Sequence, residues 1–233
     1  MKLSFACCGI ECCSNKSHML DAKVPQDEIG ELYDGKAWFY DVWAYLTESK
    51  ARERALELAE IQDGQSILEV AVGTGLMFNE IVKRNSHGQN VGIDISEGML
   101  SRAETRLAKQ NSENYSLSIG SAFDLKVGDA SVDMLVNNYM FDLVPFNQMD
   151  KIIGEFKRVL KRNGKLILIN MTKSESFGGG LYENVYRLSP RFLGGCRGVR
   201  MTDLLTRHGF KIEVREYVQQ MLFPSEVIIA SCQ

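Results

Sequence analysis

From Ser66 onward, short apolar runs alternate with stretches whose apolar residues recur every three or four positions. Runs of this kind at Ser66–Ala71, Asn90–Ile95, Tyr115–Ile119, Val132–Asn137 and Lys165–Asn170 predict buried strands. The intervening stretches predict helices at Leu76–Arg84, at Glu97–Gln110 with Leu100, Ala103 and Leu107 inward, and at Asn147–Leu160 with Ile152, Ile153, Phe156, Val159 and Leu160 on one face. Ser96 suits the N-cap of the second, and Asn163-Gly164 a turn. Strands separated by helices imply a parallel sheet with right-handed crossovers. The end of the chain differs: a helix at Thr202–His208 leads to strands at Lys211–Tyr217 and Glu226–Ala230. The segment between those strands, which contains Pro224, has no room for a crossover helix, so they must pair antiparallel. The fold class is therefore α/β: a mostly parallel seven-stranded sheet with an antiparallel last strand and helices on both faces.

Upstream, residues 1–25 lack periodicity and read as a poorly ordered arm. Asp27–Ile61 reads as helical. Ile29, Leu32, Tyr33, Trp38, Tyr40, Val42 and Tyr45 fit one or two short amphipathic helices, and Ala51, Ala55, Leu58 and Ala59 fit a third that ends at Asp63-Gly64. Residues 174–200, rich in glycine, serine and aromatics, interrupt the alternation. The expected organisation is an arm over 1–25 and one domain over 26–233. That domain has a helical lid at about 27–61 and an insertion at about 174–200.

The chemistry concentrates at Ser66–Gly75 (SILEVAVGTG) and Val91–Met99. A strand that stops at closely spaced glycines lets the backbone turn tightly against a ligand. An aspartate about twenty residues later, Asp94, is placed as a ribose-hydroxyl acceptor. Together they predict a site for an adenosine-containing cofactor.

Net charge of −3 and a pI near 5.7 give no footprint for nucleic acid; Arg187, Arg191, Arg197 and Arg200 are the sole basic cluster. No apolar stretch reaches the length of a membrane span, and the N-terminus lacks the apolar core of an export signal, so a cytoplasmic location is expected. Four of the six cysteines, Cys7, Cys8, Cys12 and Cys13, fall in the first thirteen residues. Their spacing matches no zinc pattern, leaving an arm without required role, capture of a soft metal or metalloid, or a processing remnant as alternatives. No resident metal is expected.

ILEVAVGTG (67–75), VGIDISEGML (91–100), FKRVLKRNGKLILIN (156–170) and HGF (208–210) together resemble the class I S-adenosylmethionine-dependent methyltransferases. The resemblance is nearest to the C-methyltransferases of ubiquinone and menaquinone biosynthesis and covers about Leu32–Ser231. It implies S-adenosylmethionine as cofactor. Glu69, Ala71, Gly73, Thr74 and Gly75 would lie at its methionine end, Asp94, Ile95 and Met99 at the ribose and adenine, Ser121, Ala122 and Phe123 at the adenine, and Asn137 and Asn138 at the methionine amino group. Two positions depart from the pattern. Ala71 stands where the family usually has glycine, and is expected at φ < 0; Ser121 stands where an aspartate usually meets the adenine.

Tyr139 and Asp142, after the fourth strand, are candidates to polarise or deprotonate an acceptor, with a packed aromatic and a helix-capping acid as the plainer alternative. Tyr33, Trp38, Phe39, Tyr40 and Trp43 would shape a pocket for a flat apolar or acyl acceptor, while Phe177–Gly180 and Gly194–Cys196 read as pocket walls. The acceptor is expected to be a small, apolar or lipid-like molecule. A quinone precursor comes first, then a phospholipid amine (which would bring peripheral contact with membrane lipids), then arsenite. A cofactor-binding protein without transfer activity is a different class, and an NAD oxidoreductase is disfavoured by the missing G-x-G-x-x-G spacing.

Overall fold

The structure, a computed structural model, describes residues 21–22, 37–110, 112–173, 197–221 and 223–233. The side chains of residues 37–40 also lie outside that description, as do the arm cysteines, Tyr33 and the proposed walls at 177–180 and 194–196.

Seven strands form one sheet in the order β3-β2-β1-β4-β5-β7-β6. They are β1 (Ser66–Val70), β2 (Gln89–Asp94), β3 (Tyr115–Ile119), β4 (Val132–Asn138), β5 (Leu160–Met171), β6 (Phe210–Gln220) and β7 (Phe223–Cys232). The pairings from β3 across to β5 are parallel, and β7 is antiparallel to both β5 and β6. The short β6–β7 connection thus does what its length requires. β5 begins five residues earlier than the apolar run, passing through Asn163 at φ 63°.

The largest departure from the periodicity is at the start. Among the described residues one helix, α1 (Ala37–Ala59), runs through both the Trp38–Tyr45 and the Ala51–Ala59 stretches that were expected to be separate helices, while the Ile29–Tyr33 part of that expectation lies outside the described residues. No glycine or proline interrupts this span, so nothing ends the helix before Ala59. Four of its buried residues, Ala44, Ala51, Ala55 and Ala59, are small, and α1 lies across β5, β6 and β7. The helix is fastened there: Arg54 donates Nε and Nη2 to the Glu216 carboxylate on β6, both at 2.7 Å. Gln220 Nε2 donates to the carbonyls of Tyr45 and Leu46.

α2 (Leu76–Arg84) and α3 (Glu97–Leu107) follow β1 and β2, and Ser96 caps α3 by accepting from the Met99 N–H. α4 (Phe146–Val159) and α5 (Thr202–Arg207) cover the sheet face opposite α1. On that face Leu68, Leu135, Leu166, Leu168 and Ile228 meet Ile152, Phe156 and Leu205. On the α1 face Ile67, Met134, Ile167, Val227 and Ile229 pack with Ala51, Ala55 and Ala59. β1 lies between β2 and β4, so chain order reverses across it. The crevice beyond the carboxyl ends of such strands is where open α/β sheets bind ligands.

Candidate active site

Two adjoining clefts open at that edge. The larger is lined by Val70, Ala71 and Gly73, by Asp94, Ile95, Ser96 and Met99, by Gly120–Phe123, and by Asn138–Met140, Leu143, Val144 and Ile152. The smaller, under α1, is lined by Glu48, Arg52, Glu69, Ala71–Thr74, Leu76, Met77, Asn138, Tyr139 and Ile169. Ala71, Gly73, Asn138 and Tyr139 line both and so form the partition between them.

The loop after β1 is held in a tight left-handed course. Gly73 and Gly75 have φ of 58° and 79°, and Ala71 has φ of 60°. The expectation of negative φ at Ala71 is therefore corrected: the loop demands a left-handed residue there and alanine supplies it under strain. At Gly75 a side chain would also collide with Ala103, its Cβ only 2.9 Å from that of Ala103. The Gly73 N–H donates to Asp94 Oδ2 at 2.7 Å, while Asp94 Oδ1 accepts from Ser96 N–H at 3.0 Å. Thr74, buried between the glycines, donates its hydroxyl to Asp41 Oδ1 of α1 at 2.5 Å. Arg106 completes the clamp, giving Nη2 to Asp41 Oδ2 and Nε to the Thr74 carbonyl.

Glu69 is fully buried on the α1 face. Its Oε1 accepts from Asn138 Nδ2 at 3.0 Å, and its Oε2 has no hydrogen-bond partner. Burial pushes the Glu69 carboxyl well above the usual range, opposed by the Asn138 hydrogen bond and the nearby Arg52 charge. Asn138 Oδ1 is likewise buried and unpartnered. Asn137 instead faces away from α1, its Nδ2 donating to the Val70 carbonyl, and it does not line either cleft. Ser121 lies in the larger cleft, where its Oγ accepts from Phe123 N–H at 3.2 Å.

Tyr139 takes φ of 49°, a rare backbone for a bulky residue. Its hydroxyl is hydrogen-bonded to Ser225 Oγ at 2.7 Å, its ring packs edge-on to Phe223, and burial drives its pKa well up. Asp142 lines neither cleft. Both its oxygens are 3.0 Å from the Met171 N–H, and burial raises its pKa too. The two proposed acceptor-activating groups are thus each engaged in the framework. Trp43 packs against Phe223, and Tyr45 is 70% exposed. Arg197 is buried and holds the carbonyls of Phe141, Asp142 and Val144, so it belongs to no basic surface.

Asp41, Glu48 and Arg52 were not legible as site residues. The signal was present in Glu48, an acid set in the stripe Ala44-Ala51-Ala55 that the helix buries.

Comparison with known proteins follows the same line. The family described as Methyltransferase domain matches residues 61–190, more than half the chain. A demethylmenaquinone methyltransferase of Thermotoga maritima is 28% identical over 171 residues, 72% of this chain and 70% of that protein. An arsenite methyltransferase of Halobacterium salinarum is 23% identical over 79% of this chain, but the match spans only 44% of that protein's length. A demethylmenaquinone methyltransferase of Bacteroides fragilis is 26% identical over 65% of this chain and 63% of that protein. Among solved structures, a SAM-dependent methyltransferase of Aquifex aeolicus superposes with TM-score 0.60 at 21% identity, covering 91% of this chain and all of that one. The 4+2-cyclase SpnF superposes with TM-score 0.73 at 17% identity, covering 93% and 98%. This degree of likeness shows the fold alone.

The residues fit the cofactor that the fold implies. Its amino-acid end carries an ammonium, for which the unpartnered Glu69 Oε2 and Asn138 Oδ1 are acceptors, and a carboxylate, for which Arg52 is the cation of the same cleft. Its ribose would find an acceptor in Asp94, itself buried and fixed by two backbone N–H groups. The chain belongs to the Methyltransferase domain family and is a class I S-adenosylmethionine-dependent methyltransferase.

Proposed function

We propose that the enzyme methylates a small apolar acceptor, with a quinone precursor as the favoured class, in the cytoplasm and without a nucleic-acid partner. The supporting observation is the asymmetry of the larger cleft. Asp94 and Ser96 line one side, and Met140, Leu143, Val144 and Ile152 line the other. A flat apolar body suits that wall. The demethylmenaquinone methyltransferases among the relatives point the same way.

When bound, S-adenosylmethionine supplies a methyl group on a sulfonium, open to in-line displacement. The chain's contribution is alignment and exclusion of water. Correct placement alone is worth about 7–11 kcal/mol in such reactions. Glu69, Asn138 and Arg52 hold the amino-acid end, Asp94 the ribose, and Ser121–Phe123 the adenine. Tyr139 and Asp142 act as positioning residues: each fixes the chain leaving β4, Tyr139 through Ser225 and Asp142 through Met171. The helix α1, clamped to Thr74 by Asp41, closes the amino-acid end from above.

The test is an acceptor screen with isotopically labelled S-adenosylmethionine, read by mass spectrometry. Methylation of a naphthoquinol or benzoquinol is the expected result, and methylation of phosphatidylethanolamine alone would replace this reading with the phospholipid one. The Halobacterium relative favours arsenite as a second reading. Serine at Cys7, Cys8, Cys12, Cys13 and Cys196 together would abolish arsenite methylation if that reading holds.

A further inference from the structure

Beyond the cofactor clefts, the carboxyl end of β5 and the amino end of β7, which lie side by side, carry a set of polar atoms that the fold does not use. Asn170 is fully buried, and neither its Oδ1 nor its Nδ2 has a hydrogen-bond partner. Thr172 Oγ1 and Glu226 Oε1 are also buried and unpartnered. These atoms belong to one place. Asn170 and Glu226 are directly opposed in the β5–β7 register, and strand alternation puts Asn170, Thr172 and Glu226 on the face of Leu168 and Ile228. That is the face opposite α1, so the set is separate from Glu69 and Asn138.

Burying an amide with both ends idle is costly, and folded proteins seldom tolerate it without a partner of some kind. Three such side chains on one patch point to something that binds there. The location agrees. Asn138 is paired with Ile169, and Tyr139 N–H donates to the Ile169 carbonyl, so Asn170 stands one strand from the partition of the cofactor clefts. The strip Arg197–Met201 covers the patch. Val199 N–H donates to the Met171 carbonyl, and Gly198 lies against the Thr172 backbone, where a Cβ would come within 2.8 Å. The same strip carries Arg197, which holds the Phe141–Val144 turn that supplies the apolar wall of the larger cleft.

The chemistry restricts the ligand. Asn170 offers one donor group and one acceptor, Thr172 a hydroxyl that does either, and Glu226 an acceptor oxygen. Glu226 Oε2 accepts from Arg215 Nε, and the Arg200 charge and the Met201 N–H of the covering strip also favour its carboxylate. Neither Asn170 nor Thr172 carries a charge, and hydroxyl or carbonyl oxygens on an uncharged ring would satisfy all three side chains.

We infer that Asn170, Thr172 and Glu226 form a subsite that recognises the uncharged oxygen substituents of the acceptor, with the Arg197–Met201 strip as its cover. This deepens the proposed function and rests on it. Binding requires the strip to lift from Thr172, so the subsite and the apolar wall respond together through Arg197.

The test uses 1,4-dihydroxynaphthalene, kept reduced, and 1,4-dimethylnaphthalene as a same-shaped probe without oxygens. Both are titrated into the full chain saturated with S-adenosylhomocysteine. Wild type is expected to bind the diol at least tenfold tighter than the dimethyl compound. Asn170→Leu and Thr172→Val, near-isosteric and therefore well placed to fold, are each expected to erase most of that difference while leaving S-adenosylhomocysteine affinity within twofold. If both variants fold, gain thermal stability and bind the diol as wild type does, the idle atoms hold water only and the subsite is refuted. If wild type binds S-adenosylhomocysteine but neither binds nor methylates the diol, the quinol reading falls and takes the subsite with it.

Discussion

The N–H of Gly73 donates to Asp94 Oδ2 at 2.7 Å, so the acid proposed to receive the ribose also anchors the glycine loop. Under that proposal one carboxylate sets both the shape of the loop and the position of the sugar. Asp94→Ala is expected to weaken S-adenosylhomocysteine about 10–100-fold, the equivalent of losing charge-assisted hydrogen bonds of about 1.5–3 kcal/mol. Asp94→Asn, which keeps an acceptor for Gly73, should lose less. Isothermal titration calorimetry decides, and equal affinity in Asp94→Ala removes the residue from the site.

Ala71 sits at φ 60°, where a Cβ costs roughly 1–2 kcal/mol. Glycine would relieve that strain but add about 0.4–1 kcal/mol of entropy to the unfolded chain. Ala71→Gly is therefore expected to stabilise the protein by about 0.5–1 kcal/mol, and Ala71→Val to destabilise it. Thermal unfolding at pH 7 is the measurement. A lower Tm for the glycine variant would mean that the left-handed turn is absent in solution.

Glu69 is buried with one oxygen idle, and burial raises its pKa in the folded state. A carboxyl whose folded pKa is raised keeps its proton longer folded than unfolded. Its contribution to stability is whole below about pH 4.5 and is lost as pH rises through the folded value. Glu69→Gln should therefore have a higher Tm than wild type in the absence of cofactor, by a margin that grows from pH 5 to pH 8. The same variant should bind S-adenosylhomocysteine at least tenfold more weakly, having lost the counter-charge for the ammonium. A Tm difference that is flat with pH would show that Glu69 ionises freely.

Asp41 joins α1 to Thr74 and Arg106 with bonds of 2.5 and 2.6 Å. Its side chain is about one-third exposed, so the ion pair is weakened by solvent and Asp41→Ala should cost only about 1 kcal/mol of stability. The larger effect is expected in exchange: stopped-flow release of S-adenosylhomocysteine should accelerate several-fold as the clamp over the loop is lost. Unchanged release would make the contact a surface pair with no part in closure.

Much of this was legible in the residues because strand burial and helix periodicity are local signals. β1 buries Ile67–Val70 as its apolar run requires, and α2 spans the predicted residues, whereas β3 lies where expected but at the sheet edge with none of its residues buried. α1 was misjudged because its polar and aromatic positions blur the stripe, whereas the absence of a breaker over Ala37–Ala59 decides its continuity. The loop at Ala71 was misjudged for a different reason. Its φ is imposed by tertiary constraints, the Gly73–Asp94 tether among them, which the alanine itself does not announce. Asp142 and Arg197 were read from residue type as acid and surface cation. Burial turns both into backbone anchors, a role that depends on neighbours distant along the chain.

The position of β7 has a consequence for synthesis. Phe223–Cys232 is inserted between β5 and β6, though it is made after both of them. Until it leaves the ribosome, β5 and β6 each present an unpaired edge, and the Leu168–Ile169 region of β5 is among the most apolar backbone in the sheet. A nascent chain paused before Phe223 is therefore a sticky half-sheet rather than a shorter enzyme, and chaperone demand should peak in the interval before β7 emerges.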